Sequence, residues 1–233
     1  MAADPEIKES EVGVDRLYYE RQAWQRGRVR VAGVDEAGRG PLAGPVVASA
    51  VAADAAFLES ELDGVLSGLT DSKKLTPSRR ELFFDLLQGC PAVRIGVGIV
   101  DSEEIDTINI LKATHSAMRQ AVSALDPLPD MLLVDGLPVP GLPVPSEAVV
   151  KGDQLSVLIS AASVIAKVTR DRIMIDYDRQ YPQYGFSRHK GYGSRAHFVA
   201  LMEHGPSPIH RHSFRPVRES AQLRRWSTRS RGD

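Results

Sequence analysis

The sequence has a single cysteine, Cys90, among its 233 residues, and an internal disulfide is therefore excluded. We interpret Cys90 as a small apolar side chain in a protein of a reducing compartment. No apolar run is long enough to span a bilayer, because Asp54 interrupts the best candidate at residues 46–53. Residues 1–10 are polar and acidic and lack the apolar segment of a secretion signal. These absences predict a cytoplasmic protein that does not bind membranes.

A large net charge is also absent, since the formal value is −1, but the charge is unevenly distributed. Residues 186–233 contain 10 Lys and Arg against 3 Asp and Glu, and they hold five of the six histidines. A basic C-terminal segment of this kind suits a polyanionic partner. The length and the hydrophobic content of 42% fit one large α/β domain with a full core.

The pattern of apolar residues predicts a mixed β-sheet flanked by helices, with a helical C-terminal portion, in the α/β class. The predicted strands are 30–35, 43–53, 93–100, 131–134 and 147–150. The predicted helices are 11–27, 76–87, 109–125, 154–181 and 194–203, with a short helix after residue 102. Residues 54–76 are predicted to be a loop, and residues 137–145, with four prolines, an extended connector.

Acidic residues stand where three of the predicted strands end. Asp35 and Glu36 follow the first strand, Asp135 follows the fourth and Asp153 follows the fifth. Ionised carboxylates are unfavourable to bury unless a positive charge compensates them. Oxygen ligands suit hard cations such as Mg²⁺ and Mn²⁺, and two such cations can act on the attacking and leaving oxygens of a phosphodiester. The pattern predicts a metal-dependent phosphodiester-cleaving site.

Each acid also has a simpler interpretation, which the sequence leaves open. Asp135 precedes a glycine and can belong to an ordinary turn, and Asp153 can cap the long helix that follows it. Asp35 and Glu36 are neighbours on a strand, so their side chains point to opposite faces and one of them can simply lie in solvent.

The loop at residues 38–43 formally matches the dinucleotide-binding pattern G-x-G-x-x-G/A. We reject that interpretation, because the pattern requires a helix after the glycines and the residues that follow Pro41 favour a strand. The glycines instead allow the backbone to approach a sugar–phosphate chain closely.

Two further polar pairs are ambiguous. Lys73 and Lys74 are either a solvated pair or contacts to phosphate. His210 and His212 do not predict a zinc site, because the chain has one cysteine and no second histidine pair at ligand spacing.

Eight segments in one order complete the pattern, and together they resemble bacterial ribonuclease HII over about residues 30–215. They are residues 33–47, 71–75, 109–111, 134–136, 151–153, 161–171, 189–193 and 205–214. The resemblance implies a ribonuclease H-like fold with a helical C-terminal extension. We divide the chain into an N-terminal segment 1–28 with a short helix, a catalytic domain 29–215, and a basic tail 216–233. The composition of the tail predicts that it lacks fixed structure.

The same resemblance implies an endonuclease that hydrolyses RNA paired to DNA and leaves 3′-hydroxyl and 5′-phosphate ends. It further implies incision on the 5′ side of a single ribonucleotide in duplex DNA, with two Mn²⁺ or Mg²⁺ ions. The partners would be RNA–DNA hybrid and ribonucleotide-containing duplex DNA, and we expect a monomer. The implied metal-binding and catalytic residues are Asp35, Glu36, Asp135 and Asp153.

Substrate recognition is implied for a glycine loop and a tyrosine. The loop is Gly38, Arg39 and Gly40, whose backbone can reach the 2′-hydroxyl that distinguishes RNA from DNA. Tyr192 can stack on the next sugar where that hydroxyl is absent. We also expect Lys73, Lys74 and Lys190 to contact phosphates. Ser194 stands where the family usually has threonine.

Two competing functions remain at this point. One is a nucleic-acid-binding module that holds RNA–DNA hybrids without cutting them, which would not need all four acids. The other is a metal-dependent phosphohydrolase of small nucleotides, which would need neither the tyrosine loop nor the basic segment.

Overall fold

A computed structural model describes residues 15–229, with side chains up to residue 222, and contains a five-stranded sheet of order β3-β2-β1-β4-β5. The strands are β1 Val31–Ala37, β2 Val46–Ala53, β3 Val93–Val100, β4 Met131–Asp135 and β5 Ser146–Val149. The β1–β2 and β2–β3 pairs are antiparallel, whereas the β1–β4 and β4–β5 pairs are parallel. The predicted mixed sheet is confirmed.

Helices cover both faces of this sheet and form the C-terminal portion. They are α1 Tyr18–Gln25, α2 Ala55–Glu61, α3 Pro77–Gly89, α4 Ser102–Ile108, α5 Ile110–Ser123, α6 Gly152–Leu155, α7 Val157–Gln180, α8 Phe186–His189, α9 Arg195–His204 and α10 Arg215–Arg229. Within the described residues, none of these helices combines the length and hydropathy needed to cross a membrane. The helical C-terminal extension is also confirmed.

The two helices on the faces of the sheet approach it closely at glycines. A Cβ atom at Gly33 of β1 would lie 2.2 Å from the backbone carbonyl carbon of Leu158 in α7. On the opposite face, a Cβ at Gly98 of β3 would lie 2.0 Å from the carbonyl oxygen of Ala117 in α5. Only glycine permits this spacing, and the contact at Gly33 fixes β1, which carries Asp35, directly under α7.

Two of the predictions around these elements are wrong. Residues 54–76 are not all loop, because α2 forms there and buries Leu58 in the main core. The long helix does not begin at Gln154 with Asp153 as its cap. It begins at Val157, where the hydroxyl of Ser156 accepts a hydrogen bond from the Ile159 N–H at 3.2 Å.

The tail predicted to lack fixed structure is also helical as far as the structure describes it. α10 occupies residues 215–229, and Val217 packs against Leu42 and Leu201 on the main body. The basic composition suggested a solvated segment, but this buried contact anchors the helix. Residues 230–233, and residues 11–14 of the predicted first helix, lie outside the described part.

Candidate active site

The parallel pairing of β1 and β4 places two of the predicted acids side by side. Val34 lies opposite Val134 in this register, and each is followed directly by an aspartate. Parallel strands end at the same edge of a sheet, so Asp35 and Asp135 share that edge. Asp35 is buried and Asp135 is half-buried.

Asp153 comes to the same edge because α6 is hydrogen-bonded to Asp135. The N–H of Gly152 donates to Oδ1 of Asp135 at 2.7 Å, and the N–H of Asp153 approaches the same oxygen at 3.4 Å. A Cβ at Gly152 would lie 2.5 Å from the Ile159 side chain, which explains why glycine occupies this position. Asp153 itself is buried.

Glu36 lies next to Asp35 in β1 and projects from the other face of the strand. Its N–H donates to Oδ1 of Asp35 at 2.7 Å, and its carboxylate lies 3.3 Å from Nη1 of Arg39. The structure therefore brings the four predicted acids to one edge of the sheet. It also places Arg39 of the glycine loop against one of them.

Burial and mutual repulsion keep these carboxylates from ionising as readily as they would in water. Burial, followed by the charges of Glu36 and Asp135, raises the pKa of Asp35 well above its ordinary value of 3.8. Burial also raises the pKa of Glu36, although Arg39 partly offsets this. Burial and the charges of Asp135 and Asp71 raise the pKa of Asp153 to about 6.

Lys73 is a second cation beside this group of acids, in addition to Arg39. Partial burial lowers the pKa of its ammonium, but the attraction of Asp71, Asp35, Asp153 and Asp135 outweighs that effect and raises the pKa. One ammonium and one guanidinium cannot neutralise so many carboxylates. The site therefore fits additional positive charge.

The donor set fits hard divalent cations in its chemistry. The four acids supply carboxylate oxygens only, which Mg²⁺ and Mn²⁺ prefer. In residues 15–222, no group of three or more His, Cys, Asp or Glu side chains is already arranged to hold a metal ion. Side-chain rotation and the charge of the ions, which offsets the repulsion between the carboxylates, would both be required to complete the ligand set.

Two polar residues at the site, Asp71 and Ser163, have no role predicted from the sequence. Asp71 is buried and its side chain is hydrogen-bonded to Asp153. Ser163 of α7 is hydrogen-bonded to Asp35, and its hydroxyl lies 2.9 Å from that of Ser72. Asp71 was visible in the segment before the lysine pair, whereas Ser163 lay among small residues that indicated only close packing.

The two predicted recognition loops, the glycine loop at residues 38–43 and the loop that carries Tyr192, lie next to each other. The N–H of Leu42, at the end of the glycine loop, donates to the carbonyl of Gly191 at 2.8 Å. The ring of Tyr192 comes within 3.7 Å of the position that a Cβ on Gly40 would occupy. Tyr192 is 46% exposed, so its ring is accessible beside the loop.

The predicted phosphate contacts differ in their surroundings. Lys73 faces the acids, as described, and the ammonium of Lys74 donates to the side chain of Gln154 at 2.8 Å, beside Asp153. The ammonium of Lys190 donates to the carbonyl of Ser187 in α8, the short helix that ends just before it. Lys190 is thus held near Tyr192, and nothing in its contacts joins it to the acids.

A buried histidine chain supports the backbone of Tyr192. The N–H of Ser207 donates to Nδ1 of His210 at 2.8 Å, which leaves Nε2 of His210 to donate to Nε2 of His197 at 2.9 Å. Nδ1 of His197 then donates to the carbonyl of Tyr192 at 2.9 Å. Burial lowers the pKa of His197 to about 4 and that of His210 to about 3, so both are neutral at pH 7 and the chain stays intact.

The raised pKa of Asp153 predicts a pH-dependent stability in the absence of metal. The unfolded chain releases this proton near pH 3.8 and the folded chain near 6, so the free energy of unfolding falls as the pH rises through that window. Asp153→Asn removes the effect. In EDTA at pH 8 we expect the free energy of unfolding of this variant to exceed that of the wild type by on the order of 1 kcal/mol after solvent screening, which raises its unfolding temperature. At pH 4 the two proteins should be equally stable.

Thermal unfolding at pH 4, 6 and 8 checks this expectation. Asp63→Asn, at an exposed position in the loop after α2, is the matched control and should show no such trend. A variant at Asp153 that is less stable than the wild type at pH 8 would contradict the repulsion described above.

The family model described as Ribonuclease HII matches residues 32–217. Ribonuclease HII of Geobacter sulfurreducens is 57% identical over 201 residues, which are 86% of this chain and 89% of that protein.

Solved structures agree with the sequence relatives. The ribonuclease H2 from Pyrococcus horikoshii OT3 superposes with a TM-score of 0.70 and 32% identity, over 84% of this chain and 99% of that one. A ribonuclease HIII in complex with Mn²⁺ has the same fold, with a TM-score of 0.65 and 17% identity, over 93% of this chain and 77% of that one. The range that the family model matches spans the positions of the four acids, the glycine loop and Tyr192. The chain belongs to the ribonuclease HII family and is a ribonuclease H, an endonuclease that acts on RNA–DNA hybrids.

Proposed function

We propose that this ribonuclease H also incises duplex DNA on the 5′ side of a single embedded ribonucleotide, and that it cleaves with two divalent ions, Mn²⁺ or Mg²⁺. The ligands are Asp35, Glu36, Asp135 and Asp153. The observation that carries the proposal is their convergence at one sheet edge beside the glycine loop. The protein acts as a monomer on hybrid and on ribonucleotide-containing duplex.

The residues around the acids prepare them for cations. Asp135 is fixed by the backbone of α6, and Asp35 is fixed by the Glu36 N–H and by Ser163. When bound, a pair of hard cations supplies a hydroxide near neutral pH and stabilises the leaving oxygen. Lys73, which faces the same acids, contacts a phosphate of the substrate when the cations neutralise its present partners.

Recognition of one ribonucleotide requires contact with a single 2′-hydroxyl. Arg39 and Gly40 are exposed, and with no side chain on Gly40 the loop backbone can approach a sugar. Tyr192 lies beside Gly40 and stacks on the sugar at the next position, where a deoxyribose has no hydroxyl in the way. Together these two elements distinguish an RNA-to-DNA step from uniform DNA. Lys74 and Lys190 add phosphate contacts, which strengthen binding without sequence preference.

The deciding experiment uses a labelled DNA duplex that contains one ribonucleotide. With Mg²⁺ or Mn²⁺ we expect a single nick on the 5′ side of that residue, with 3′-hydroxyl and 5′-phosphate ends. A duplex of a continuous RNA strand with a DNA strand, and free mononucleotides, are assayed in parallel. Binding without a nick on either duplex would favour the non-cleaving module, and hydrolysis of mononucleotides alone would favour the small-nucleotide phosphohydrolase.

The role of Tyr192 has its own prediction. Tyr192→Ala should lower incision at a single ribonucleotide about tenfold, because a stacking contact is lost, and should lower cleavage of a continuous hybrid by less. Tyr192→Phe keeps the ring and should retain most of the incision. Rates on both substrates and the unfolding temperature are measured for each variant. If Tyr192→Ala lowers both rates equally, Tyr192 has no part in reading the junction.

A further inference from the structure

Two arginines, Arg170 and Arg211, are buried beneath the glycine loop, with exposed fractions of 1% and 0%. Their guanidinium groups donate to backbone carbonyls, which compensate the buried charge. Burial lowers the pKa of Arg170 to about 10 and that of Arg211 to about 9, so both remain charged at pH 7. The proposed function assigns neither residue a role.

Arg211 binds both ends of the loop. It donates from Nη2 to the carbonyl of Gly38 at 2.5 Å and from Nη1 to the carbonyl of Arg39 at 3.0 Å. At the other end of the loop it donates from Nε to the carbonyl of Gly44 at 3.0 Å and from Nη2 to that of Pro45 at 3.1 Å. The planar guanidinium suits this arrangement, since its N–H groups point in fixed directions within one plane.

These contacts determine where the loop N–H groups point. In a trans peptide unit the carbonyl of one residue and the N–H of the next are directed oppositely. The peptide bonds of this loop are trans, since the cis bond of the described residues is Asp126–Pro127. The carbonyls of Gly38 and Arg39 point inward to Arg211. The N–H groups of Arg39 and Gly40 therefore point outward, on the two exposed residues of the loop.

We infer that Arg211 is a positioning residue, which directs the N–H groups of Arg39 and Gly40 toward the substrate so that they donate to the 2′-hydroxyl of the ribonucleotide. This inference rests on the proposed recognition of a ribonucleotide by the loop. Arg211 does not touch the substrate; it acts through the peptide units whose carbonyls it holds.

Arg170 is a natural control, because it is equally buried and shares with Arg211 the carbonyl of Pro45, while its other acceptors differ. It donates to Pro45 at 2.9 Å, to Ala43 at 3.1 Å and to Lys190 at 3.0 Å. Within the described residues Arg170 does not donate to the carbonyl of Gly38 or Arg39, so the direction of the outward N–H groups does not depend on it in the same way. A general loss of packing would affect both positions alike.

The test measures binding in the Asp35→Asn background, where cutting is blocked. Two duplexes are compared that differ only in one 2′-hydroxyl, and the readout is the ratio of their dissociation constants. We expect Arg211→Lys to reduce this preference for the ribonucleotide about tenfold, since lysine keeps the charge but cannot hold several carbonyls at once. Affinity for the all-DNA duplex should change little. Arg170→Lys should leave the ratio within about threefold.

The outcomes separate this inference from the proposed function. If the Asp35→Asn chain with native Arg211 binds both duplexes equally, recognition of the 2′-hydroxyl by the loop fails, and the positioning role fails with it. If that chain discriminates but Arg211→Lys discriminates equally well, only the positioning role is overturned. If Arg170→Lys and Arg211→Lys lower the ratio of dissociation constants equally, the positioning role is also overturned. Arg211 would then only contribute to packing.

A second measurement applies if Arg211→Lys does not fold. In the NMR spectrum of the Asp35→Asn chain, the amide resonances of Arg39 and Gly40 should shift more on adding the ribonucleotide duplex than on adding the all-DNA duplex. Equal shifts with the two duplexes would overturn the inference, because the outward N–H groups would then not contact the 2′-hydroxyl.

Discussion

Replacing Asp35 with asparagine is expected to reduce cleavage of RNA–DNA hybrid on the order of a thousandfold or more, with little change in binding to the duplex. The amide keeps the shape of the carboxylate, and its oxygen can still accept the N–H of Glu36 and the hydroxyl of Ser163. The charge that attracts a divalent cation is lost. Because Asp35 is repelled by its neighbours, the metal-free variant should be at least as stable as the wild type.

Cleavage rate, duplex affinity and unfolding temperature are measured together for this variant. The matched control is Asp130→Asn, which lies before the opposite end of β4 and pairs with Arg30 at 2.8 Å on the surface. That variant should cleave at the wild-type rate, since exposed ion pairs contribute little. Parallel loss of binding and stability in Asp35→Asn would mean that Asp35 supports the fold rather than the reaction.

The sheet and the position of the acids could be predicted because both are local in sequence. The β3 strand has the bounds that the apolar run at 93–100 indicates, and Met131–Asp135 follows from a short, fully apolar run. Each apolar run ends where its strand ends, and the acids lie at these strand ends. The pairing of β1 with β4, which brings Asp35 to Asp135, is not local. Acids at the ends of several strands predicted a shared site, but not which strands pair.

The start of α7 shows what local sequence could not determine. Asp153 and Ser156 are both good caps, and the sequence offers no reason to choose between them. The choice depends on Glu20 of α1, whose carboxylate accepts from the Ser156 hydroxyl at 2.6 Å and from the Leu158 N–H at 3.1 Å. This contact spans more than a hundred residues of chain. Because Ser156 caps α7, Asp153 does not, and its carboxylate can take part in the site.

The role of the buried Arg211 beneath the glycine loop could not be predicted either, because its contacts also join residues that are distant in sequence. Arg211 lies far along the chain from the carbonyls of Gly38 and Arg39, and no pattern in the sequence connects it with them. The fold brings them together by burying Arg211 beneath the loop. Residues that contact the reacting groups can thus be predicted in part from sequence motifs. Residues that orient those motifs can be identified only from the tertiary structure.

The close approach of α7 to β1 leads to the second large effect. Gly33→Ala should destabilise the protein by about 3 kcal/mol or more, at the upper end of what overpacking usually costs, and should lower the unfolding temperature by about 6–12 °C. The new Cβ would lie 2.2 Å from the carbonyl carbon of Leu158 and 2.3 Å from the N atom of Ile159. These are backbone atoms, so no side-chain rotation can relieve the overlap, and α7 must move away from the strand.

Gly89→Ala is the matched control for this change. A Cβ at Gly89, the last residue of α3, would meet nothing within 4 Å, so alanine should stabilise the protein slightly, by about 0.5–1 kcal/mol. Cleavage should fall in Gly33→Ala and not in Gly89→Ala, because moving α7 also withdraws Ser163 from Asp35. If Gly33→Ala kept the wild-type unfolding temperature, the helix would not pack on the strand as closely as described, and the position of Asp35 would have to depend on other contacts.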